Sequence, residues 1–251
     1  RDAHVFLLLL LLFSCWLGSS FGFVVVVVNP PRTMTTTRMA ASTVAKRVMV
    51  GKLRPETTAM LLCDIQDRFR PLVYRGETVV RTAQYMTGVA QALDIPLVMT
   101  QQYTKVFGNT VEDCFATKEQ LDQTPMFEKK LFSMLTEQCK THLDTLHRSS
   151  YILFGIETHV CVQQTALDLL EEGKDVHIIV DGVSSQQAYD REIALQRLSQ
   201  AGAYLTTAQS AAFMLMQSAD HPNFKAVSKL TVEHMKKPNE FNEALDPKEG
   251  N

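Results

Sequence analysis

Three stretches of this chain hold side chains suited to chemistry. Cys161 lies within Phe154-Gly-Ile-Glu-Thr-His-Val-Cys-Val-Gln-Gln-Thr165, Asp64 closes Leu61-Leu-Cys-Asp64, and Lys129 and Lys130 stand in Phe127-Glu-Lys-Lys-Leu-Phe-Ser133. A cysteine in the first turn of a helix meets free backbone N–H groups and the positive end of the helix dipole. Both favour negative charge on sulfur and make it a candidate nucleophile. The same residue reads equally as an inert small hydrophobe, because cysteine is among the most buried residue types. Asp64 alone reads as a turn or capping residue, and the two lysines as a solvated pair. Together, an acid, a cation and a thiol at one edge of a sheet are what covalent acyl transfer needs: a base for the thiol proton, a cation to favour thiolate, and backbone donors for the oxyanion.

The elements that must position these groups follow from periodicity. Tyr151 to Phe154 is a short apolar run of strand type that Gly155 breaks. Val162, Ala166, Leu169 and Leu170 then form one apolar helical stripe that stops at Gly173. Val176 to Asp181 is the next strand, completing a strand–helix–strand crossover. Elsewhere the pattern predicts strands at Thr58 to Asp64, Ile95 to Thr100 and Ala203 to Thr206. It predicts helices at Glu77 to Leu93, Ser133 to His147, Asp190 to Ala201 and Ala208 to Ser218. This alternation implies an α/β, three-layer, doubly wound sheet, mostly parallel, with helices on both faces. Ligands in such sheets gather at the carboxyl ends of the strands, where all three stretches fall.

The motifs carry a family resemblance. Leu-Cys-Asp-Ile-Gln-Asp-Arg-Phe at 62–69, Phe-Glu-Lys-Lys-Leu-Phe-Ser-Met at 127–134 and the segment 154–165 resemble the isochorismatase-like cysteine hydrolases. Asp181-Gly-Val-Ser-Ser and His221-Pro-Asn-Phe-Lys are similar to the eukaryotic isochorismatase domain-containing proteins in particular, and the likeness spans residues 54–232. It implies the isochorismatase-like hydrolase fold, with Cys161 as nucleophile and Asp64 as the carboxylate beside it. Lys129, three residues before Phe132-Ser133, is the family lysine in preference to Lys130. The likeness also implies a cis peptide at Ile156–Glu157 and an oxyanion hole from the backbone N–H groups of Glu157 and Cys161. Phe69 and Tyr103 are expected to line the pocket. Gln102 is expected either to face the substrate or merely to cap its strand.

The implied reaction is cleavage of a small amide or related C–N bond through a thioester. A low-turnover binding or scaffold protein, or a nucleic-acid-processing member of the same fold, is the alternative. Nicotinamidase-type relatives carry an Asp and several His after the strand matching Ile95 to Thr100. Here that stretch reads Gln101-Gln-Tyr-Thr-Lys105, so neither a metal nor any other cofactor is expected. His159 and His177 fall nearest the site, with His159 read as a turn residue. Isochorismatases proper, which cleave a vinyl ether, lack the cysteine, so Cys161 argues for acyl chemistry.

Composition sets the outer bounds. The 251 residues, 45% hydrophobic, suffice for one well-buried domain, and a net charge of −2 gives no basic footprint for nucleic acid. The cysteines at 15, 63, 114, 139 and 161 form no CxxC pair, which reads as reduced intracellular thiols. The successive apolar residues Phe213, Met214, Leu215 and Met216 point to a homo-oligomer, a dimer or tetramer. Residues 1–53 read as a leader. Residues 5–28 carry no charge, while Arg32, Arg38, Lys46, Arg47, Lys52 and Arg54 follow with no acidic residue between Ala3 and Pro55. That composition suggests a removable organellar targeting segment, or an upstream extension before Met34 or Met39, over a stable membrane anchor. Val5 to Phe13 reads alternatively as a secretory apolar region, which five free cysteines fit poorly. A mitochondrial or cytoplasmic location is expected, with a small-molecule substrate and no nucleic acid. Residues 233–251 read as a polar C-terminal tail, disordered from Lys236.

Overall fold

The computed structural model describes residues 50–241. The leader expected over residues 1–53 lies, as far as residue 49, outside the described residues, as does the tail from residue 242.

Six strands form one sheet: β1 (Thr58–Cys63), β2 (Leu97–Gln102), β3 (Met126–Lys129), β4 (Ser150–Ile156), β5 (Asp175–Ser184) and β6 (Tyr204–Thr206). Their order is β3-β2-β1-β4-β5-β6, and every paired neighbour is parallel. The principal helices are α1 (Gly76–Ala92), α2 (Glu137–Thr145), α3 (Gln163–Glu171), α4 (Ala188–Ala201), α5 (Ala208–Met216) and α6 (Phe224–His234). Buried residues of α1, α5 and α6 join Met60, Leu62, Ile152 and Phe154 in one core. Those of α2, α3 and α4 join Ala59, Leu61, Cys63 and Leu153 in another. Alternate residues of β1 and β4 thus feed opposite faces, as the two-residue period of a strand requires, and both central strands are buried throughout. The result is a three-layer, doubly wound α/β fold.

Strand order reverses between β1 and β4, and a crevice opens at such a reversal, outside the carboxyl ends of the strands. Two local features shape it. Gly155 does not end β4 but sits inside it at φ 129°, where a Cβ would collide with the Cys63 carbonyl. Only glycine permits that approach of β4 to β1. The Ile156–Glu157 peptide that follows is cis. The chain then makes a single π turn, Thr158–Val162, before α3 begins. Such turns recur at functional sites.

Other boundaries differ from those read off the pattern. The helix expected from Ser133 starts only at Glu137, because the backbone N–H of Met134 is held by Thr165 Oγ1 (2.8 Å) and Thr136 caps the helix by accepting from Cys139 N. Periodicity does not mark helix α6, and it implies strand β3 only by placing residues 127–133 at a strand end, without bounds. Past α6, Asn239 donates to Asp181 Oδ2 (3.2 Å), Glu240 accepts from Thr78 Oγ1 (2.8 Å), and the Arg191 guanidinium lies 4.0 Å over the Phe241 ring. The chain is therefore packed through Phe241, beyond the polar tail boundary at 233. In α5, Leu215 and Met216 are buried in the core and Met214 packs against it, which leaves Phe213 as the exposed member of that apolar run.

Candidate active site

The site assembles at the β1/β4 reversal. Asp64 follows β1 in the left-handed region (φ 47°), a conformation that aspartate tolerates better than most residues and that turns the chain sharply after the strand. Its side chain is buried and fully engaged. Oδ1 accepts from Thr100 Oγ1 (2.7 Å), at the end of the neighbouring β2, and Oδ2 accepts from Lys129 Nζ (2.6 Å). Lys129 reaches it because β3 pairs with β2 in the register Gln102↔Lys129. Its ammonium also donates to Gln102 Oε1 (2.7 Å), Phe132 O (2.9 Å) and Leu131 O (3.2 Å), so three N–H donors are matched by four acceptors. The Lys129 and Asp64 side chains are 0% and 1% exposed. Burial works against the charge on Lys129. The acidic groups of Cys63, Asp64 and Cys161 around it outweigh that cost and hold the ammonium above the ordinary lysine value.

Cys161 lies in the π turn, and its carbonyl accepts from Thr165 Oγ1 (2.6 Å), the same hydroxyl that holds the Met134 N–H. One threonine therefore ties the turn bearing the thiol to the segment that follows Lys129. Cys161, Asp64 and Gln102 all face one cavity of about 340 Å³, whose walls also include Phe69, Phe107, Phe132, Ile156, Glu157, Val160 and Gln186. Cys161 keeps 7% exposure, whereas Cys63, Cys114 and Cys139 keep none. Beside it, the Cys63 thiol is pushed well above its usual value, first by burial and then by its contacts with Cys161 and Asp64.

The structure thus brings Asp64, Lys129, Cys161, Glu157, Phe69 and Gln102 together, and one expected wall residue is corrected. Tyr103 is not on the cavity wall. Its backbone turns into the left-handed region (φ 34°) to start the short helix Thr104–Phe107, its ring lies under the Lys130 ammonium, and Phe107 reaches the cavity instead. His177 is also corrected. It sits early in β5, in register with Ile152 and Tyr204, stacked on the Tyr204 ring at 4.9 Å and remote from the carboxyl edge. His159 turns away, with Nδ1 at 2.9 Å from Ser185 Oγ.

Several residues here escaped sequence reasoning. Thr100 is an ordinary strand residue by pattern. Gln66 clamps the β2 end through Gln102 N (2.7 Å) and Gln102 O (3.0 Å). Phe107 ends the short helix Thr104–Phe107, and Phe132 and Gln186 sit in loops. Gln66 lies within the 62–69 motif, but nothing in its type or spacing marks it out from the polar residues around it.

The polar side chains that follow β2 are spent on partners within the protein. Gln101 is committed to Thr110 and Thr104, and Gln102 to Lys129 and the Lys130 carbonyl. Among the described residues no group of three His, Cys, Asp or Glu could hold an ion. Nor is any helix among them long and apolar enough to cross a membrane.

Known proteins share this arrangement of elements. The family description that matches is the isochorismatase domain, over residues 58–210. The secreted isochorismatase effector Isc1 of Phytophthora sojae is 43% identical over 204 residues, 80% of this chain and 96% of that protein. Isochorismatase family protein 1B of Dictyostelium discoideum is 44% identical over 184 residues, 72% of this chain and 89% of that protein. Among solved structures, the MAR1 ribonuclease of Caenorhabditis elegans aligns with a TM-score of 0.68 at 39% identity, covering 72% of this chain and 92% of that one.

Proposed function

The chain belongs to the isochorismatase family, and on that premise we propose that it is a cysteine hydrolase that cleaves a small amide or related C–N bond through a thioester on Cys161. The observation that carries this reading is a single cavity, at the strand-order reversal, walled by a thiol and a carboxylate whose second oxygen is held by a buried lysine. Asp64 takes the Cys161 proton, and the sulfur attacks the substrate carbonyl carbon. The backbone N–H groups of Glu157 and Cys161 receive the oxyanion. The proton on Asp64 passes to the departing amine, leaving an acyl-cysteine. Water, deprotonated by Asp64, then releases the acid and restores the thiol. Lys129 acts as a positioning residue: its donors are spent on Asp64, Gln102 and two carbonyls, so it fixes the carboxylate.

A nucleic-acid-processing reading, raised by the name of the C. elegans structure, has less support. No lysine or arginine lines the cavity to meet a phosphate. The exposed side chains of Leu131, Phe132, Phe213 and Val232 support assembly as a homo-oligomer, which light scattering at micromolar concentration tests. The free, buried thiols Cys63, Cys114, Cys139 and Cys161 support a mitochondrial or cytoplasmic location. Fractionation tests that location, and recovery from the medium, as the name of the P. sojae relative suggests, would reverse it. The catalytic reading itself is tested by ammonia release across a panel of small amides. Turnover by the wild type and none by Cys161→Ala is expected, whereas equal turnover by both removes Cys161 from the reaction.

A further inference from the structure

Resting on the cysteine-hydrolase reading, we propose that the cavity selects amides bearing an organic cation, and that the Glu157 carboxylate sets this selectivity. Two carboxylates, Asp64 and Glu157, line the cavity, and no Lys, Arg or His does. Asp64 is cancelled from behind by Lys129 at 2.6 Å. Glu157 has no such partner: among the described residues it enters none of the ion pairs, and its carboxylate accepts one bond, from the backbone N–H of Gln186 to Oε1 (3.1 Å). The wall therefore carries an uncompensated negative charge.

The remaining surface suits the same ligand. Phe69 and Phe107 stack with ring centroids 4.5 Å apart and planes 17° from parallel, and Phe132 adds a third ring. Aromatic faces attract a cation within about 6 Å, more strongly where water is excluded. In this cavity of about 340 Å³ the buried or half-buried Phe69, Phe107, Ile156 and Val160 offer water no partners, so Coulomb forces beside them are less screened than on an open surface. A quaternary ammonium or protonated amine is attracted by both the rings and Glu157. A carboxylate is repelled by both.

Glu157 has a duller role available, which is to hold the start of the β5–α4 connection through Gln186. Glu157→Gln separates the two, because glutamine keeps the acceptor oxygen and removes only the charge. The probes are three amides of similar size: trimethylammonioacetamide, its neutral isostere 3,3-dimethylbutanamide, and the anion succinamate. Affinity is read by calorimetry on Cys161→Ala, which needs no turnover, and kcat/KM on the wild type.

The cation should bind at least about tenfold more tightly than the anion. That preference should shrink about tenfold in the Glu157→Gln background and weaken with added salt. Equal affinities, preference for succinamate, binding of none of the three, or a preference that survives Glu157→Gln would each overturn the proposal. A cation preference with no acyl adduct on Cys161 from any amide would leave the proposal standing and overturn the hydrolase reading alone.

Discussion

At the carboxyl end of the sheet Lys129 and Asp64 are buried as a charged pair with every donor met, whereas near the amino end His177 is buried with Nε2 unpartnered. Burial holds the His177 ring neutral, down at about 4, and it packs flat against Tyr204. Lys129 lies as deep, yet its acidic neighbours keep it charged. The difference separates packing from function. A neutral ring in a core serves packing with little electrostatic penalty, whereas burying an ion pair costs several kcal/mol per ion before attraction returns any of it. Such a pair is weak evidence for stability, and its position on the wall of a cavity beside a thiol gives it a catalytic reading instead.

Breaking the pair should have the largest effect. Lys129→Met leaves Asp64 charged and buried without its partner, so stability to urea should fall by about 3–5 kcal/mol. Adding Asp64→Asn removes the stranded charge and should recover part of that loss, while neither variant turns over amides. A single variant as stable as the wild type would mean that the pair is not buried as described.

The histidine end responds to pH instead. His177 binds its proton at about 4 when folded and near 6.5 when free, so between those values the unfolded chain holds more protons. Stability is thus complete above 6.5 and lost as pH falls toward 4, by on the order of 3 kcal/mol. His177→Phe should retain the stacking on Tyr204 and flatten that part of the stability curve. An unchanged acid limb would assign the loss to other groups.

Much of this contrast was legible in the chain, for reasons that vary by residue. Apolar runs such as Thr58 to Cys63 and Tyr151 to Phe154 announced buried parallel strands, and the chemical residues at their ends announced the edge. The bounds of strand β3 were hidden because Met126–Lys129 is a four-residue edge strand, half exposed, with no apolar alternation to detect. Tyr103 was misplaced because a single left-handed residue rotates the following side chains, and nothing local encodes that turn. Thr100 was invisible because its role is a bond to a residue 36 positions away.

Thr100 offers a smaller, sharper perturbation of the carboxyl end. Thr100→Val removes the donor to Asp64 Oδ1 and should cost about 1.5–3 kcal/mol, since the acceptor is charged. It should lower kcat more than it raises KM, with Thr100→Ser restoring both. A lost KM with unaltered kcat would place Thr100 in substrate binding.

Thiol labelling carries the smallest structural demand. Burial pushes Cys139 up to about 12 and raises Cys63 and Cys114 well above their usual range, and all three are fully enclosed. Iodoacetamide at neutral pH should therefore modify Cys161 before these three. If Cys161 were the slowest, it would be a core residue like the others.

The most direct test of the account is the mass of the protein caught in turnover. Acid quenching of wild type mixed with a reactive small amide should yield a species heavier by one acyl group, mapped to the peptide containing Cys161, with ammonia released in equal amount during the first turnover. Asp64→Asn should slow its appearance and Cys161→Ala should show none. Ammonia release with no adduct on Cys161, or an adduct on another residue, would contradict the assignment of Cys161 as the nucleophile.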